Sequence, residues 1–102
     1  MAYESLEREK QYVENELQKN GLKHLKVSKR GMNLVIYGED ENGKDNRCRF
    51  SCIKSGLFYL NIANHTGKWE QTPFEGTLEE RLFMVIEQFP GTLTDYAQEN
   101  IL

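Results

Sequence analysis

The chain is poor in the residues that usually announce chemistry. Its 102 residues include two cysteines, two histidines, two prolines and one tryptophan. It has no G-x-S-x-G, phosphate-binding glycine loop, HExxH or Cys/His cluster with metal spacing, so it carries no recognisable catalytic, cofactor-binding or metal motif. No apolar run approaches the ~20 residues that cross a bilayer, and the opening "MAYESLEREK" lacks the basic-then-apolar layout of a secretory leader. No membrane partner is expected, and a cytoplasmic setting follows, where thiols are usually reduced. Internal repeats, low-complexity tracts and long linkers are also missing, and the length fits one α+β domain over 1–102.

What is present is segregated charge. The net charge is −3, but residues 19–30 hold five basic and no acidic groups, and residues 47–68 hold four basic and none acidic. The carboxylates lie in the flanking blocks. Such blocks matter only if the fold gathers them on one surface.

Two segments carry helical periodicity. In residues 3–19, Tyr3, Leu6, Val13 and Leu17 recur on one stripe, with Gly21 placed for a left-handed cap. Residues 77–89 begin with a capping box, Thr77 and Glu80, and place Leu78, Leu82, Val85, Ile86 and Phe89 on one face before Pro90-Gly91. Phe83 and Met84 fall more than about 90° away from that stripe, counting ~100° per residue, and form a possible second contact patch. A short third helix is expected over 94–100.

Between the helices the period is two, with strands expected at 22–29, 32–40, 45–54 and 57–64, and a fifth at 68–72. Directly paired residues must share a face, so register can be argued. A loop Glu41-Asn42-Gly43 pairs Asp40 with Lys44, Ile36 with Cys48 and Leu34 with Phe50. A loop Lys54-Ser55-Gly56 pairs Cys52 with Phe58, Phe50 with Leu60 and Cys48 with Ile62. A turn at Arg30-Gly31 pairs Val27 with Leu34 and Leu25 with Ile36. A loop His65-Thr66-Gly67 would pair Trp69 with Ala63 on the open face, whereas a loop one residue shorter would bury Trp69. The expected fold is a two-layer α+β sandwich, a four- to five-stranded antiparallel meander with the N- and C-terminal helices packed on one face.

The stretch "RCRFSC" then reads as a strand. Its cysteines, Cys48 and Cys52, lie on one face about 13 Å apart, four residues at roughly 3.3 Å each. That is too far for a disulfide or for one shared metal, so they read as core. The arginines point outward, and the outer rows become His24, Tyr37, Arg47, Ala63; then Lys26, Val35, Arg49, Asn61; then Ser28, Asn33, Ser51, Tyr59. No carboxylate appears among these twelve. Lys26, Tyr37, Arg47, Arg49, Tyr59, Asn61 and Trp69 are therefore the candidate contact residues.

Three functions compete for that face. A non-catalytic binding or regulatory protein would use its arginines and aromatics on a protein partner, as interfaces do. Single-stranded nucleic acid would use the same rings for stacking and the same cations for phosphates, against the acidic total. An enzyme would need a base such as His24 beside Tyr37, with no motif around it. Plain solvation of one face of an antiparallel sheet is the bland alternative to all three. A homodimer through either patch is compatible with the pattern.

Overall fold

The structure, a computed structural model, describes residues 6–41, 43–54, 56–64, 66 and 68–93. The order of elements is α1 (Glu7–Lys19), β1 (Leu25–Arg30), β2 (Asn33–Asp40), β3 (Gly43–Lys54), β4 (Leu57–Ala63), β5 (Trp69–Gly76), α2 (Leu78–Gln88) and a 3-10 turn (Pro90–Leu93). The five strands form one antiparallel sheet in sequential order, so the fold is α+β. The expected helix over 94–100 lies outside the described residues, as does the first part of the expected first helix.

Both helices end as their sequences dictate. Gly21 adopts φ 75°, and the Leu22 N–H reaches the Leu17 carbonyl at 2.8 Å while the Gly21 N–H reaches that of Gln18. This is a Schellman closure, which satisfies carbonyls that a helix end leaves orphaned. At α2 the Thr77 hydroxyl accepts the Glu80 N–H at 3.1 Å, and the Glu80 carboxylate accepts the Thr77 N–H at 3.0 Å. Leu78, Leu82 and Val85 are the buried face of α2, each contributing about 1.5–3 kcal/mol by leaving water.

The central rows of the sheet match the expected pairing: Ile36 with Cys48, Leu34 with Phe50, Phe50 with Leu60, Cys48 with Ile62 and Cys52 with Phe58. Trp69 pairs with Ala63 and Gln71 with Asn61, as the longer final loop requires. Four corrections stand beside these. First, β1 is displaced by two residues: Val27 faces Ile36, Leu25 faces Gly38, and Arg30 faces Asn33. Gly31 and Met32 form the turn, with Gly31 at φ 59°. An even displacement keeps every side chain on its face, so the core pattern survives it. Second, Asp40 pairs with Gly43 and Glu39 with Lys44, one residue out of step with the centre of the hairpin. The difference is absorbed between Ile36 and Tyr37, where Arg47 is the extra residue of a β-bulge. Third, Lys54 belongs to β3 and pairs with Leu57, so the β3–β4 connection is shorter than the expected loop Lys54-Ser55-Gly56, and Ile53 is the extra residue that keeps Cys52 opposite Phe58. Fourth, β5 runs on to Gly76, with a further irregularity opposite Leu60 that accommodates Pro73.

Leu6, Val13 and Leu17, the buried inward residues of β1 to β4, Leu78, Leu82, Val85 and Leu93 make one buried cluster. Cys48 is sealed within it and its thiol pKa is pushed up to about 12 by burial. Both cysteines are free. No helix among the described residues is long and apolar enough to cross a membrane.

Candidate binding face

The alternate positions of the sheet point away from that cluster, and the corrected register reassembles them. One row now runs Lys26, Tyr37, Asn46; the next Ser28, Val35, Arg49, Asn61, Gln71; the third Arg30, Asn33, Ser51, Tyr59, Glu75. Val35, 5% exposed, is the one buried apolar residue outside the core cluster among the described residues, so this face has a small apolar floor of its own.

Arg47 is not part of it. Because the bulge shifts the strand by one residue, Arg47 turns towards the core side and is only 7% exposed. Its Nε donates to Asp45 Oδ2 at 3.0 Å and its Nη1 to the Thr92 carbonyl at 3.1 Å. Its guanidinium lies where a Cβ on Gly38 would come to 3.3 Å of Nη2, so glycine leaves room for it. His24 also departs from its expected place beside Tyr37. Its Nε2 lies 2.8 Å from the Leu93 carbonyl, so both side chains bind the turn after α2. With that, the Tyr37-adjacent histidine that an acid–base reading would need is removed.

The remaining expected residues divide by what they touch. Lys26 is tied to Glu39 at 2.8 Å; the contact holds the lysine pKa up and the carboxyl pKa down. Tyr59 hydrogen-bonds to Glu75, its partner across β4 and β5, which raises the phenol pKa. The face therefore contains carboxylates that the twelve-residue expectation did not include. Asn61 is 3% exposed and donates to Ser51 Oγ at 3.0 Å, a structural contact more than an available one. Lys44 sits 4.9 Å above the Tyr37 ring.

Arg49 and Trp69 do come together. The guanidinium carbon lies 4.7 Å from the indole centroid, a cation–π contact that holds both planar groups in place. Arg49 Nε is shielded from solvent and has no hydrogen-bond partner among the described residues. These two side chains, with Arg30, Asn33, Asn46 and Val35, line a hollow of about 210 Å³. Arg30, Asn33 and Asn46 were missed as site residues. Arg30 was obscured by the two-residue error in β1, and Asn46 by the bulge; Asn33 was already placed on this face without a partner to mark it.

The second expected patch also divides. Phe83 is 65% exposed and borders a groove of about 470 Å³ with Tyr12, Leu82 and Ile86. Met84 instead packs against the core and receives Arg81 at its sulfur, so it does not extend the Phe83 surface. Among the described residues no three His, Cys, Asp or Glu side chains are grouped to hold a metal ion.

Neither a known protein family, nor a characterised protein, nor a solved structure matches this chain. The functional reading therefore rests on the face itself.

Proposed function

We propose that this is a small non-catalytic binding or regulatory protein, with both helices layered on one side of the sheet and the other side working on a protein partner. The observation that carries this is the Arg49–Trp69 pair, stacked at 4.7 Å above a floor that includes Val35. Arginine and tryptophan are the residue types that dominate binding energy at protein interfaces, most of all where neighbours already exclude water. Tyr37 and Tyr59 extend the contact area on either side. The free cysteines fit a reducing compartment such as the cytoplasm.

A nucleic-acid strand would use the same rings, but it brings a charge with every nucleotide, and Glu39 and Glu75 stand on this face. The deciding experiment selects a random-peptide display library on the whole protein and tests each binder against Trp69→Ala. A labelled mixed-sequence RNA 12-mer is titrated by anisotropy alongside, at low and near-physiological salt. Binders that lose tenfold or more with Trp69→Ala, with no micromolar RNA binding, are expected. Binders indifferent to Trp69→Ala and Tyr59→Ala would place the working surface elsewhere. Salt-sensitive micromolar RNA binding would replace the protein partner with single-stranded nucleic acid.

A further inference from the structure

We propose that the hollow beneath Trp69 receives the carboxylate of an aspartate or glutamate side chain on an acidic peptide segment of the partner. This rests on the reading of the open face as the binding surface and names what that surface selects.

The lining is rich in donors and contains no carboxylate: two guanidinium groups, Arg30 and Arg49, and two primary amides, Asn33 and Asn46. Arg30, Asn33 and Asn46 have no side-chain hydrogen bond or ion pair among the described residues, and Arg49 Nε is shielded without an acceptor. Buried donors in folded proteins are nearly always matched, so an orphaned guanidinium N–H facing other uncommitted donors calls for a concentrated acceptor. An oxyanion meets that demand best. The planar fork of arginine fits a carboxylate through two parallel hydrogen bonds, and the Trp69 ring already fixes the plane of the Arg49 fork.

Size and surroundings narrow the class. About 210 Å³ lies below the roughly 300–1,000 Å³ of pockets that enclose drug-sized ligands, so the hollow takes the end of a side chain and not a whole cofactor. The other cations of the face are engaged, Lys26 with Glu39 and Lys44 with the Tyr37 ring. One uncommitted positive spot flanked by carboxylates suits a chain with charge at a chosen position. It does not suit a polyphosphate track, which would have to cross Glu39 or Glu75.

Trp69 is the only tryptophan in the sequence, so its emission reports directly on the hollow. Whole protein is titrated with a blocked octapeptide carrying one Glu among Gly and Ser residues, with the same peptide carrying Gln in its place, and with the RNA 12-mer. The Glu peptide is expected to shift Trp69 emission saturably, with the Gln peptide at least about tenfold weaker, the ratio that loss of a charge-assisted hydrogen bond produces. Arg49→Gln is expected to weaken the Glu peptide by a similar factor, with its urea midpoint confirming that it folds. If that variant fails to fold, the comparison of Glu and Gln peptides on the natural protein decides alone.

Equal responses to the two peptides would overturn the carboxylate assignment while leaving the face a binding surface. No saturable response to the Glu peptide would overturn it as well. A stronger response to RNA than to the Glu peptide would overturn it in favour of phosphate. Failure of the broader reading is seen separately, as display binders indifferent to Trp69→Ala.

Discussion

Two arginines two residues apart are expected to behave as opposites. Replacing Arg47 with methionine keeps much of the side-chain stem and removes the guanidinium from the Thr92 carbonyl. A hydrogen bond from a charged donor in a shielded setting is worth about 1.5–3 kcal/mol. The Asp45 side of the contact adds little, at most about 1 kcal/mol, because that carboxylate is half exposed and screened by water. Loosening the turn also releases part of the burial of Leu93, worth up to about 1.5–3 kcal/mol, although His24 still holds the adjacent carbonyl. Arg47→Met should therefore cost about 2–4 kcal/mol. With a urea slope of about 2 kcal/mol per molar, the unfolding midpoint falls by roughly 1–2 M. Arg49→Met loses a cation–π contact of about 0.5–1 kcal/mol but also relieves a shielded N–H without a partner, leaving stability within about 1 kcal/mol. Urea denaturation of both variants, followed by circular dichroism, provides the assay. Equal midpoints, or Arg49→Met as the weaker protein, would refute the bulge that assigns Arg47 to structure and Arg49 to the surface.

The remaining expectations concern the core and a cap. Burial raises the Cys48 thiol above its unfolded value of 9.0, to about 12, so the native state holds its proton while the unfolded chain loses it. Stability contributed by this group is present below pH 9 and is lost as pH rises from 9 towards 12. Stability measured against pH should show that decline, and Cys48→Ala should flatten it; an unchanged slope in the variant would remove Cys48 as its cause. Thr77→Ala deletes one half of the capping box and should cost about 1 kcal/mol by chemical denaturation, with Thr77→Ser recovering most of it.

What the sequence makes legible follows from which errors a pattern can detect. The helix ends were readable because Thr77, Glu80 and Gly21 each satisfy orphaned backbone groups within a few residues, and local chemistry is written locally. The central rows of β2, β3 and β4 were readable because a one-residue slip would exchange core for solvent along the whole strand. A two-residue slip exchanges nothing, so the position of β1 was invisible to the same test, and with it the pairing of Arg30 with Asn33. The bulge at Arg47 was hidden differently. A connection of two residues between Asp40 and Gly43 looks forbidden if alternation is unbroken, because it sets Ile36 against Arg47. One extra residue reconciles that short turn with the core rows, and the residue that absorbs it turns to the other side of the sheet. Gly38 is the mark it leaves in the sequence, a strand position without a side chain where the displaced guanidinium has to lie. The loop and the core each demand their own register, and the bulge that satisfies both is what separates an arginine that holds the fold from one free to bind.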